Sequence, residues 1–255
     1  MKLFSTLLLG LLLVYIISAQ IRTDKEVDGL KGEVKSVRLE RTEIFQREGK
    51  PVEKARILQS VITYDEKGNK IEELRYNFNG SLAEKMVFAR DDKGNQTKII
   101  YKPDGTIDSK WVYNFDASGK MTGGAQYNSD GVLRLKMVRN FDARGKLIEG
   151  AMYAADGSLM NKTLFKYYAE GKQTEDAVYN ASGTLMQKYM RSDIGDTVVL
   201  YDNDGEIRYK AISQSPSLEL DSQGNWIKRS TLRTVTQGDK AEGVIEVVYR
   251  TIIYY

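Results

Sequence analysis

Six copies of one phrase run through the middle of this chain: Tyr, two residues, a small polar residue, Gly, one residue, Leu or Ile, two residues, Lys. They begin at Tyr76, Tyr101, Tyr127, Tyr153, Tyr179 and Tyr201. Their glycines are Gly80, Gly105, Gly131, Gly157, Gly183 and Gly205, and their lysines are Lys85, Lys110, Lys136, Lys162, Lys188 and Lys210. A looser phrase alternates with it, as YDEKGN from Tyr64, FDASGK from Phe115 and FDARGK from Phe141. The unit is a pair of turns about 26 residues apart, which means one supersecondary element used many times. Between turns lie segments of strand length such as KIEELRY and TIDSKWVYNF, rich in β-branched and aromatic residues. Asn-Gly, Asp-Gly and Ser-Gly steps supply the positive φ of tight hairpins.

These signals predict an all-β fold: a repetitive antiparallel meander of short hairpins forming an extended, twisted single-layer sheet, or one curling into a partly open wrap. Residues 1–19 read as a signal peptide, with an apolar run from Leu3 to Ile17 and a cleavage site after Ala19. Residues 20–63 read as N-terminal capping strands, 64–213 as the repeat array and 214–255 as a C-terminal capping hairpin anchored by Trp226. The caps are expected because a stack of strands has two raw edges. The chain is then exported, to the periplasm or beyond the cell.

Unbroken alternation puts each Tyr and the following aliphatic on one face and the Lys row on the other. In that register Lys85 faces Glu73, Lys188 faces Asp176, Lys110 faces Lys98, Lys136 faces Gly124, Lys162 faces Gly150 and Lys210 faces Val198. The row keeps a two-sided sheet soluble, or serves as a contact line for an anionic envelope polysaccharide or an acidic protein. The tyrosines and glycines of the phrase are structural.

The chain has 38 Lys and Arg against 35 Asp and Glu, a balance unlike that of a nucleic-acid binder. With no His and no Cys it has no His-assisted triad, thiol nucleophile, common zinc site or disulfide. The acids sit mostly in turns, and the Asp202–Glu206 stretch lacks the spacing of a calcium loop. No catalysis, no metal and no small-molecule cofactor are expected. A scaffold acting through sheet edges is one alternative. A transmembrane barrel is another, because the tail VVYRTIIYY is like the closing strand of an outer-membrane barrel; charged mid-strand positions speak against it.

The phrases YDEKGN, FDASGK and YDNDGEI resemble the YD repeats of RHS-type proteins. The alternating Y-x-x-[DN]-G-x-L phrase is similar to MORN-like repeats. The resemblance covers nearly the whole mature chain and implies strand-turn repeats in an exported bacterial protein, serving as shell, spacer or binding surface.

Overall fold

The computed structural model describes residues 23–47, 50–91, 96–192, 195–202, 204–214, 216–237 and 240–255. The expected signal peptide lies outside them. One helical turn, α1 (Asp24–Val27), precedes β1 (Val34–Arg47), β2 (Lys50–Glu53) and β3 (Ile57–Tyr64). The repeats form β4 (Lys70–Tyr76), β5 (Leu82–Arg90), β6 (Gln96–Tyr101), β7 (Ile107–Phe115), β8 (Met121–Asn128) and β9 (Leu133–Phe141). They continue as β10 (Leu147–Ala154), β11 (Leu159–Tyr167), β12 (Gln173–Asn180), β13 (Leu185–Ser192), β14 (Gly195–Tyr201) and β15 (Ile207–Gln214). The chain closes with β16 (Ser217–Leu220), β17 (Trp226–Gln237) and β18 (Lys240–Tyr254).

Neighbouring strands pair antiparallel throughout, and the first and last strands pair with each other. Val37 lies opposite Ile252 and Thr42 opposite Val247, while Val37 also lies opposite Ile62 of β3. The short β2 extends the line of β3 along β1, and β16 extends the line of β15 along β17. The result is a closed barrel of 16 staves. The expectation of an extended single-layer sheet, open or partly wrapped, is therefore corrected. The two end segments do not cap separate edges; they join and abolish them.

The cause of closure lies in the hairpins. In the turn after β6, Gly105 (φ 85°) donates its N–H to Lys102 O at 2.9 Å, and Lys102 N–H reaches Thr106 O at 2.8 Å. The Asp104 carboxylate accepts from the Thr106 N–H and hydroxyl at 2.9 and 2.6 Å. Tyr101 then pairs with Ile107, but Ile100 pairs with Ser109, so Asp108 is an extra residue. The same one-residue bulge recurs at Ala83, Arg134, Met160, Met186 and Arg208, and at the other rim at Ile71, Thr122, Ile148 and Thr174. Each bulge sharpens the local right-handed twist and bends the sheet. Repeated at both rims, it curls the meander until its ends meet. Following opposed residues once round the wall, the register climbs by about 18 residues; for a circular section this gives a tilt of about 40° and a wall roughly 30 Å across.

Candidate functional site: the two walls and the plugged mouth

The bulges also decide which side chains share a face. Lys85 lies opposite Leu74, Lys110 opposite Ile99, Lys136 opposite Ala125, Lys162 opposite Ala151, Lys188 opposite Ala177 and Lys210 opposite Val199. Every pairing is one residue away from the unbroken register, so the lysines share a face with the phrase tyrosines instead of opposing them. On the next strand Lys85, Lys110, Lys136 and Lys162 stand directly beside Tyr101, Tyr127, Tyr153 and Tyr179.

The chirality of L-residues settles which face is inside. Asn77 donates its N–H to Ser81 O across the β4–β5 hairpin, which fixes the side of β4 that looks toward β5. Combined with the climbing register and the right-handed slant of barrel strands, this puts Glu73 and Arg75 on the concave side. The Lys ladder is on the outer wall. There Lys85 pairs with Glu72 at 2.7 Å and Lys188 with Glu175 at 2.9 Å, and these hydrogen bonds raise both lysines above their ordinary range. Lys110, Lys136, Lys162 and Lys210 have no carboxylate within ion-pair distance among the described residues.

The inner wall is different. Glu246 bridges Arg41 (2.8 Å) and Arg233 (3.3 Å), while Arg75 binds Glu73 (2.7 Å) and Glu84 (3.0 Å). Arg191 pairs with Asp176 at 2.7 Å. Among the described residues these pairs run along the wall and none crosses the lumen, as a section this wide requires. Other inward cations lack a carboxylate. Lys98 lies 5.8 Å from the ring of Trp111 and 6.0 Å from that of Tyr113, two rings stacked at 5.5 Å. Burial holds Lys98 and Arg139 below their ordinary ranges and pushes Tyr113 up to about 12. Arg250 lies 3.6 Å over Trp226, which Arg229 approaches at 5.1 Å. Burial pushes Arg250 down to about 10, and its Nε and Nη1 are sealed from solvent without a hydrogen-bond partner.

The mouth that holds the chain ends is crossed by residues 23–33. Thr23 caps α1, accepting from Glu26 N–H, and Lys25 N–H donates to Gly68 O. Asp24 pairs with Arg90 at 3.0 Å, and Asp28 accepts from the Tyr64 hydroxyl at 2.6 Å. Leu30 is buried with Val34, Val37 and Tyr64. On the far side Asn225 accepts from Lys31 N–H at 2.7 Å and donates to Lys31 O at 3.0 Å. Around the same rim cations reach from one turn to the aromatic ring of the next: Arg90 over Phe115 at 5.4 Å, Lys120 over Phe141 at 4.8 Å, Lys146 over Tyr167 at 5.2 Å. Such contacts tie neighbouring hairpins together.

None of the inward cations was singled out from the sequence. They lie off the repeated phrase, and only the shifted register reveals that Lys98, Trp111 and Arg139 share one concave face.

Geometry thus defines a class: a closed, antiparallel β-barrel with one plugged mouth and a charged, aromatic lumen. Residues 60–214 match a family model described as "Uncharacterised protein", and the chain belongs to that family. No curated protein matches the chain. A porin-like protein from Bacteroides uniformis has a similar fold, with a TM-score of 0.51 at 10% identity over 88% of this chain and 98% of that one. A DUF1329 family protein from Desulfovibrio piger aligns over 90% of this chain and 89% of its own at 10% identity, but its TM-score of 0.20 carries no argument about fold. The resemblance to YD, RHS and MORN-like repeats is overturned by these matches and by the closed ring. A Y-x-x-D-G phrase specifies a hairpin turn, and a hairpin turn is compatible with open and closed sheets alike.

Proposed function

We propose that this protein is a non-catalytic β-barrel of the cell envelope that receives anionic solutes in its lumen. The observation that carries the reading is the set of inward cations, Lys98, Arg139, Arg229 and Arg250, that have no carboxylate partner among the described residues and of which Lys98, Arg139 and Arg250 are desolvated. A desolvated cation with no carboxylate in direct contact is costly, and an anion entering the lumen relieves that cost. Closure removes exposed sheet edges, so a scaffold acting through them is not supported. The outer Lys row is available to an acidic partner or envelope polysaccharide, and an exported chain would meet one.

A second reading, a pore spanning the outer membrane, is favoured by the fold of the porin-like neighbour and the even number of staves. The outer wall opposes it. Its two apolar rows, the phrase tyrosines with their aliphatic partners (Tyr76 with Leu82) and the row Val87, Val112, Val138, Leu164, Met190, Ile212, are divided by the lysines, whereas a lipid-facing band is apolar over about 25 Å. Each Lys at a bilayer midplane costs about 2–4 kcal/mol. The first reading keeps the outer wall in water and the second puts it in lipid.

The absence of cysteine makes the test direct. Thr163→Cys reports the inner wall and Val138→Cys the outer. Both should react with a water-soluble maleimide without detergent, and both should still react after incubation with lipid vesicles. Protection of Val138→Cys alone by lipid would establish the pore reading, and an unreactive Thr163→Cys would remove the lumen from function.

A further inference from the structure

Trp111 and Tyr113 stand on β7 with their rings parallel, 6° apart in plane, on the concave side of the wall. The next strand contributes Gly124 directly opposite Tyr113. A Cβ there would lie 2.8 Å from Val112 O and 3.0 Å from the Tyr113 ring, so glycine gives this ring and strand their room. Two strands from β7, Arg139 comes back toward Tyr113, whose hydroxyl it influences electrostatically. Beside Arg139 on β10 is Gly150, where an added Cβ would meet nothing closer than the edge of Phe165 at 3.9 Å. Lys98 completes the patch from β6, opposite Trp111.

The arrangement is a stacked aromatic pair with Lys98 near both rings, Arg139 toward Tyr113 and side-chain-free backbone beside Arg139. Inside this protein most charged groups of the inner wall are neutralised by a neighbour, as Glu246 is by Arg41 and Arg233. Lys98 and Arg139 are not. We propose that the Lys98–Trp111–Tyr113–Arg139 patch is a binding site for planar aromatic molecules that carry an anionic group, the ring extending the Trp111–Tyr113 stack on its outer face and the anion taken by Arg139 or Lys98. Stacking on an aromatic face is indifferent to ring identity, so the cations supply the selection, and Arg is suited to carboxylate, sulfonate and phosphate geometry. The inference rests on the lumen reading and gives it a ligand class.

Calorimetric titration of the purified chain with 2-naphthalenesulfonate, and with uncharged 2-naphthalenemethanol as its partner probe, tests it. The sulfonate should bind saturably and more tightly than the alcohol. Arg139→Gln and Lys98→Gln should each weaken the sulfonate about ten-fold, while Arg139→Lys retains much of the affinity. Trp111→Leu should weaken both probes, and the outer-wall change Lys110→Gln should alter neither. Circular dichroism confirms that each variant folds. Equal affinity for the two probes, or unchanged sulfonate binding in a folded Lys98→Gln, Arg139→Gln double variant, overturns the site. If Thr163→Cys is labelled and no sulfonate binds, this inference fails and the lumen reading stands; if Thr163→Cys is not labelled, the lumen reading itself fails.

Discussion

The two walls of the barrel are made from alternate residues of the same strands, yet three inner cations are desolvated while the ladder lysines outside keep their water. On the outside, Lys85 and Lys188 are half-exposed, hydrogen-bonded to Glu72 and Glu175, and raised above their ordinary range. On the inside, Lys98, Arg139 and Arg250 are pressed below theirs by burial. Propensity and alternation do not distinguish the faces, because both carry Tyr, Leu and Lys or Arg. Curvature does: tips converge on the concave side and lose water, and they diverge on the convex side and keep it. Closure thus turns a symmetric two-faced sheet into a container.

Placing an acid on each wall should break the comparison most sharply. Val37 is 2% exposed on the inner side of the β1–β18 seam, and Val138 is 41% exposed on the outer wall. Val37→Asp should cost several kcal/mol in thermal or denaturant unfolding, since it buries an unpaired carboxylate at the joint that closes the ring. Val138→Asp should stay within about 0.5 kcal/mol. Next in size, Glu246→Gln leaves Arg41 and Arg233 facing one another without their shared carboxylate and should cost about 1–2 kcal/mol.

Lys98 gives a pH signature. Its folded-state value lies below its unfolded value because burial disfavours the charged form. Between those two values the unfolded chain holds more protons, so stability rises with pH through that window. Lys98→Met should therefore be stabilising at pH 7, and the gain should shrink as pH climbs toward about 10.4, the ordinary Lys value. A gain that does not change with pH would assign it to packing instead. The smallest effect belongs to the outer row: Lys85→Gln removes an exposed ion pair and should cost only a few tenths of a kcal/mol, less at high salt.

Strands, turns and the regular Lys row were legible in the sequence because each depends on local chemistry. Gly105 and Asp104 announce their turn whatever the sheet does elsewhere. The bulge residues Ala83, Asp108, Arg134, Met160, Met186 and Arg208 share no side-chain chemistry, so nothing in the repeat marks them, and missing them reverses the face of every ladder lysine. Closure is a long-range property of β1 and β18, more than two hundred residues apart. One signal for it was present: these segments run 14 and 15 residues, against six to nine in the repeats, the excess expected of strands that pair along their length with each other. The inner site was illegible for the same reason as the faces. Trp111 stands between Lys110 and Val112 in the sequence, and only the register sends it inward while its neighbours go out.

Oxidative cross-linking of the seam tests closure most directly. Val37 and Ile252 are directly opposed across β1 and β18, and the chain has no cysteine of its own. Val37→Cys with Ile252→Cys should form an intramolecular disulfide at high yield in dilute protein, seen as a faster band on a non-reducing gel and reversed by reductant. A pair that stays reduced, or that links only between molecules, would mean that the first and last strands do not meet and that the sheet is open after all.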